Sequence, residues 1–418
     1  MSADRIDRIQ DKSRKFDWFF IAVTLTLMTF GVFLVYSATV NEEMVFYDTH
    51  WFRQIIYFLT GIAIAVGLVF VKIDWLKRAA VPSYAIALIL LVFVLIFAGD
   101  VKGAGRWIDL KIIKLQPSEF AKIAYLITIS YWLSKHPVSL HNLKTFLVPF
   151  VLFIVPFLLV LKQPDLSTAL VFTAVTLVGF FFAGLTFTDL FLIVSPVLSV
   201  LFLHSQSMVF QVLWGVLICV VMLSVIRRRL SKKLSGVIIA TNILAGYASS
   251  MVWNMLEPHQ QKRVNTFLDP MSDPLGDGYQ VLQSLTAIGS GGIGGKGFGN
   301  GSQTNLSFLP EEHTDFIFSV LGEQFGFIGC AAILALFALF LWRASSICRT
   351  NNDPFVTLVT MGASTIFLFH ITVNIAMTIG LMPVTGLPLP FLSYGGSFAL
   401  VCMFLVGLLM CLRYQGNK

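Results

Sequence analysis

The sequence predicts an all-α polytopic membrane protein, and three observations carry that prediction. Apolar residues dominate, apolar runs of about 20 residues recur along the whole chain, and Lys and Arg are confined to the gaps between them. The 418 residues are 56% hydrophobic and 12% charged, with a mean hydropathy of +0.81. An average soluble domain carries roughly 25% charged residues. A soluble protein buries single apolar runs, but runs of 18 or more residues repeated from end to end belong to a bilayer. The formal charge of +7 does not point to nucleic acid, because the basic residues lie between the runs and form no separate basic patch.

The spans follow in order near 17–38, 54–72, 79–98, 117–134, 145–161, 166–184, 187–203, 209–226, 235–255, 316–342, 356–379 and 391–412. That makes about twelve. The pair 187–203 and 209–226 is parted only by HSQSM. Residues 1–16 form a charged tail ahead of the first run, longer than a secretory h-region and without a small-residue cleavage site, so the first span is expected to stay uncleaved. The chain then divides into spans 1–9 over 17–255, a large loop over 256–315, spans 10–12 over 316–412 and a tail over 413–418.

Orientation follows from the bias of Lys and Arg toward cytoplasmic loops. Arg5, Arg8, Lys12, Arg14 and Lys15 precede the first span, Lys77 and Arg78 follow the second, and Lys135 and Lys144 follow the fourth. Arg227, Arg228, Arg229, Lys232 and Lys233 follow the eighth, with Arg343 and Arg349 after the tenth. Both termini are therefore expected in the cytoplasm, and 99–116, 162–165, 256–315 and 380–390 outside. Cys219, Cys330, Cys348, Cys402 and Cys411 show no CxxC pair and no His-flanked spacing, which predicts neither a disulfide nor a zinc site.

Charge inside a span needs a partner or a wet cavity. Arg53 opens the second span, Glu119 and Lys122 share a face of the fourth at i, i+3, and Asp165 opens the sixth. Each has a bland explanation: snorkelling for Arg53, a structural ion pair for Glu119 and Lys122, helix capping for Asp165. Their convergence at one membrane face is what those explanations leave over.

The loop 256–315 is the longest connection, and long loops in compact proteins are usually functional or disordered. It holds an apolar stretch, YQVLQSLTAI, suited to a short re-entrant or interfacial helix. Asp269, Asp273 and Asp277 recur every fourth residue, but Pro270, Pro274 and Gly276 argue for turns and against a metal-binding helix face. GSGGIGGKGFGNG has eight glycines in thirteen positions and fails as a phosphate loop: Ser290 stands where glycine is required, and Gly297, not Ser or Thr, follows Lys296. It reads as a headgroup-lining backbone or a linker. EEHTDF brings Glu311, Glu312, His313 and Asp315 together without a metal-ligand spacing, so helix-entry charges and caps are the reading there.

GRWIDL with LQPSEFAK, then QPDLSTA, DPLGDGYQ, FLPEEHTDFIFSVLGEQFG and GLPLPFLSYGGS together resemble, in order and spacing, the SEDS (shape, elongation, division, sporulation) family, over nearly the whole chain. The forms QPDL, DPLG and GLPLPFLSYGGS are RodA-like rather than FtsW-like. The resemblance implies a SEDS-like helical bundle and a glycosyltransferase that polymerises lipid II into glycan strands during elongation, at the outer face of the bacterial inner membrane. It implies Asp273 as general base toward the acceptor 4-hydroxyl, and Arg53, Trp107, Lys122, Asp165 and Gln280 as substrate-binding groups. Glu119, His313 and Asp315 fall in supporting positions. A class B penicillin-binding protein transpeptidase and the elongation machinery are the implied protein partners. No cofactor is certain; a divalent cation sharing the diphosphate charge is the candidate. Two departures stand out: an extra pair of spans within 187–255, beyond the family's ten, and Lys111 where glycine often follows the RWIDL run. A lipid-linked oligosaccharide flippase is the alternative, which would call for midplane ionisable residues and repeated halves.

Overall fold

The computed structural model describes residues 16–40, 45–97, 107–109, 114–142, 144–204, 207–255, 257–269, 271, 276–305 and 308–416. Helices α1 (Trp18–Thr39), α2 (His50–Val69), α3 (Ile73–Phe97), α4 (Pro117–Lys135), α5 (Lys144–Leu161) and α6 (Leu166–Phe182) come first. They are followed by α7 (Phe187–His204), α8 (Met208–Arg227), α9 (Lys232–Tyr247) and α10 (Ser249–Met255). The large loop contributes α11 (Pro258–Leu268), α12 (Asp277–Gly291) and the single turn α13 (Ser302–Asn305); α14 (Ile317–Ser346), α15 (Pro354–Thr378) and α16 (Gly396–Gly416) close the chain. A two-residue antiparallel pairing, Ile108–Asp109 with Lys114–Leu115, accompanies them.

Among the described residues nine helices are long and apolar enough to cross a membrane, or ten if α9 and α10 make one span. The expected segments 117–134 and 166–184 are helices too. α4 is diluted by Glu119, Lys122 and Lys135, and α6 is only 17 residues long. Both are largely sheathed by protein: α4 buries Tyr125, Leu126 and Ile129, and α6 buries Ala169, Val171 and Phe172. A helix surrounded by other helices needs no lipid-facing surface.

The expected single span 235–255 is broken between α9 and α10. Small residues gather there, Gly246, Ala248, Ser249 and Ser250, and Gly246 lies against Trp214 and Leu203. Small residues at a close helix contact are where kinks are found.

The core is formed by α15 and α16, buried over 67% and 78% of their apolar windows, whereas α5 and α8 are buried over 17%. α16 packs along α2, α3 along α4, and α15 against α6. α7, α8 and α9 pack chiefly on one another as a satellite group. Two ends of the bundle separate by their ion pairs. At one end Asp17 meets Arg343 at 2.6 Å and Arg413 at 2.9 Å, and Lys77 meets Asp353 at 2.6 Å. The candidate site lies at the other.

Candidate active site

The segment 379–395, between α15 and α16, organises this end. Pro383, Pro388 and Pro390 lack an N–H and resist helix, yet Leu387, Leu389, Phe391 and Leu392 are buried. Non-helical backbone in a buried place must have its carbonyls satisfied by side chains. α15 supplies two at i, i+4: Asn374 Nδ2 donates to Leu387 O at 2.7 Å and to Asp315 O at 2.8 Å, and His370 Nδ1 lies 3.2 Å from Pro388 O. From α6, Ser167 Oγ donates to Thr385 O at 2.7 Å, and from α2, Gln54 Nε2 donates to Ser393 O at 3.1 Å.

That segment gathers the charged residues singled out in the sequence. Lys122 Nζ stands 2.8 Å from Glu119 Oε1 and 3.0 Å from His370 Nε2, all three side chains buried. A carbonyl only accepts, so the contact with Pro388 O places the histidine proton on Nδ1 and leaves Nε2 to accept from Lys122. Phe398 stacks on His370 at 4.6 Å and lies 5.7 Å from Lys122 Nζ. Asp165 caps α6, accepting from Thr168 N at 3.1 Å and Thr168 Oγ1 at 2.8 Å, and its Oδ2 also takes Gln116 Nε2 at 3.1 Å. Capping thus holds, and Gln116 carries the aspartate to Ser397 through its backbone N–H at 3.2 Å from Ser397 Oγ. Arg53 pairs with Asp48 and lies beside Tyr394, with 44% of its side chain open.

His313 and Asp315 do not cap α14. The residue that caps α14 is Phe316, with no side-chain hydrogen bond. His313 turns back instead, stacking on His50 at 4.4 Å while its carbonyl accepts from Tyr394 N at 2.9 Å. Enclosure, with His50 beside it, pulls His313 down to about 4 against the pull of Glu311. Enclosure and the Glu311 carboxylate push Asp315 up to about 7, and Arg263 opposes them. EEHTDF is therefore a clasp between the large loop and α2. Its turn-back needs a tertiary partner and has no local signal.

Trp107 is 43% exposed and Gln280 is half-buried in the first turn of α12; neither side chain is hydrogen-bonded to this cluster among the described residues. Asp273 and Lys111 lie outside the described residues. Asp269 is exposed at the end of α11.

The glycine stretch is an ordered structural element, neither a phosphate loop nor a linker. α14 leaves the helical conformation at Gly326, with φ 61° and ψ −160°. Lys296 N and Gly297 N donate to Glu323 O and Gln324 O, each at 3.0 Å, while Phe327 N and Ile328 N donate to Gly292 O and Ile293 O at 2.9 and 3.1 Å. Lys296 Nζ adds a 2.8 Å ion pair to the buried Glu323 carboxylate, which also accepts from Ser302 Oγ and Gln303 N.

Chemically, this end offers a half-open cation at Arg53, a buried cation at Lys122 fixed from two sides, and the tethered exit of the large loop at His313 and Asp315. Among the described residues no group of three or more His, Cys, Asp or Glu is placed to hold a metal ion. Gln116 and Tyr394 lie inside the quoted LQPSEFAK and GLPLPFLSYGGS without a signal for their roles, while His370 and Asn374, each a lone polar residue in an apolar helix, carry no periodic signal.

Residues 17–212 and 197–418 match the family profile FTSW_RODA_SPOVE, described as cell cycle protein. The peptidoglycan glycosyltransferase RodA of Treponema pallidum is 34% identical over 95% of this chain and 97% of its own. The probable peptidoglycan glycosyltransferase FtsW of Trichlorobacter lovleyi is 36% identical over 95% and 92%, and peptidoglycan glycosyltransferase MrdB of Escherichia coli 34% over 94% and 92%. A solved structure described as "Structural coordination of polymerization and crosslinking by a peptidoglycan synthase complex" superposes with a TM-score of 0.70 at 28% identity, covering 95% of this chain and 97% of that one. The rod shape determining protein RodA of Thermus thermophilus, at 23% identity and TM-score 0.63 over 96% and 98%, shares the fold.

Proposed function

The chain belongs to the FtsW/RodA/SpoVE family of cell cycle proteins, and from that premise we infer that it is a peptidoglycan glycosyltransferase that polymerises lipid II. One observation carries the reading at the level of residues: Arg53 lies beside Tyr394, Lys122 faces the Phe398 ring, Asp165 reaches Ser397 through Gln116, and the large loop is tied to the same 384–398 segment where His313 O accepts from Tyr394 N. Relatives with RodA and FtsW names fall at 34% and 36% identity, so the elongation role rests on the motif forms alone.

In the mechanism we propose, the lipid-linked donor lays its diphosphate at Arg53, the open cation. Trp107 and Gln280 contact the sugars. Asp273, assigned by the DPLG motif, takes the proton of the acceptor 4-hydroxyl as that oxygen attacks the anomeric carbon and the carbon–oxygen bond to the diphosphate breaks. Cations stabilise the leaving charge, and a single displacement inverts the anomeric centre. A divalent cation would share the diphosphate charge. We place the protein in the bacterial inner membrane with both termini in the cytoplasm, alongside a class B penicillin-binding protein that crosslinks the strands.

Glycan formation from purified protein and lipid II tests the reading. Asp273→Asn is expected to lower turnover by about 10²–10⁴-fold with membrane insertion unchanged, while Asp269→Asn and Asp277→Asn keep most activity. Comparable loss in all three would assign the effect to loop folding, and full activity of Asp273→Asn would remove it as the base. Lipid II translocation without polymer would favour a flippase.

A further inference from the structure

The break in α14 has a second consequence beside it. Where the glycine stretch docks, α12 and α14 meet closely at Gly291 and Gly322, and beside that contact their surfaces leave a groove of about 300 Å³, lined by Ile288, Gly289, Phe318, Gly322, Phe327 and Cys330. Among the described residues no charged side chain and no strong hydrogen-bonding side chain lines it. A groove so lined takes hydrocarbon and offers nothing to orient a sugar. Its α14 wall runs from Phe318 to Cys330, within roughly 20 Å of that span's start at 1.5 Å per residue, which is a single leaflet's depth. Phe327 is 71% exposed and Ile328 beside it 62%, so the mouth opens sideways, where a span meets lipid.

We propose that this groove holds the isoprenoid chain of the lipid-linked substrate. The choice of an isoprenoid over an ordinary acyl chain comes from continuity. α12 begins at Asp277, next in the chain to the segment that carries Asp273, and Ile288 lies eleven residues further, roughly 17 Å along the helix. A diphosphate held near the reacting sugar therefore starts its chain within a few isoprene units of the groove. The walls are fixed by the Gly291–Gly322 contact, by backbone bonds of the glycine stretch to the broken helix and by the Lys296–Glu323 pair, so the groove needs no occupant to form. The identity of the chain rests on the glycosyl-transfer reading; the hydrocarbon character of the groove does not.

The experiment uses the full chain in nanodiscs with a benzophenone-bearing undecaprenyl diphosphate. Crosslinks are expected within 288–292 and 318–330, displaced by undecaprenyl diphosphate and not by phosphatidylglycerol. Crosslinks elsewhere, or equal displacement by phosphatidylglycerol, overturn the proposal. Gly289→Leu gives a second reading, because a Cβ at Gly289 meets nothing within 4 Å, so the variant fills the groove without straining the backbone. It is expected to weaken groove crosslinking and raise KM for lipid II about tenfold, the effect of a misfitted apolar pocket, with kcat kept and a farnesyl-chain analogue unaffected. The same rise in KM for both chain lengths sinks the idea. Crosslinking needs no turnover: labelling without polymer leaves the groove standing and removes the glycosyl-transfer reading, whereas polymer without labelling does the reverse.

Discussion

Two ion pairs with buried carboxylates, Asp189–Arg228 and Glu119–Lys122, lie in different regions and are built differently. In the satellite group Asp189 receives Arg228 through both oxygens, at 2.8 and 2.7 Å, and its Oδ2 also accepts from Thr186 N and Thr186 Oγ1 at 3.0 and 2.9 Å. In the core Glu119 receives Lys122 on Oε1, while its Oε2 is buried with no hydrogen-bond partner among the described residues. A buried acceptor left unmade costs free energy, and such groups in native proteins call for an explanation. The satisfied pair locks α7 to the residue after α8. The open pair sits against the 384–398 segment, where the bonds of Lys122 to Glu119 and His370 fix a cation beside the proposed chemistry. Burial is common to the two carboxylates; they differ in the completeness of their hydrogen bonding.

The largest effect is expected from breaking the open pair. Lys122→Ala strands the Glu119 carboxylate and leaves His370 Nε2 without its donor, and removal of one partner from a buried pair costs about 3–5 kcal/mol. Yield of folded protein should fall together with glycan polymerisation. Normal yield and thermal midpoint with activity alone abolished would make the pair catalytic and not mainly structural.

A smaller effect is expected from the satisfied pair. Arg228 keeps 31% of its side chain open, so in Asp189→Ala it can turn to water, and the loss is that of charge-assisted hydrogen bonds, about 1–3 kcal/mol. Polymerisation per folded molecule should be unchanged. A tenfold drop would place the satellite group within the catalytic assembly and erase the contrast.

How much of this was legible in the sequence follows from the range of each signal. Apolar run length located α7 and α8 despite the short HSQSM gap, and i, i+3 spacing found the Glu119–Lys122 pair, because both are local properties of a helix. The Asp165 cap was legible for the same reason. The partners that decide the site are not local. His370 reaches Lys122 across 248 residues and Gln54 reaches Ser393 across 339, and the glycine stretch has meaning only beside the carbonyls that a break at Gly326 leaves free. The break between α9 and α10 was missed because hydropathy reads straight through Gly246 to Ser250.

The smallest effect concerns the clasp, and it sharpens the contrast by asking whether the outer end carries a pH dependence of its own. Asp315 is pushed up to about 7 from 3.8, so the folded state favours its protonated form. Its contribution to stability is then complete below 3.8 and is lost as pH rises through 7. His313 works in the opposite sense: held down to about 4 from 6.5, it contributes above 6.5 and loses that contribution as pH falls through 4. Between 4 and 6.5 the two oppose each other, so the wild-type curve should be flatter than either alone. Asp315→Asn removes one of them. Part of the Asp315 side chain stays open, which trims its share to on the order of 2–4 kcal/mol. Thermal midpoints of the purified protein from pH 4 to 8 should show the wild type losing stability relative to Asp315→Asn as pH rises, levelling off above 7. Parallel curves would mean that Asp315 is ionised in the folded protein throughout, and the clasp would then be held by the His50–His313 stack and the Tyr394 backbone bond alone.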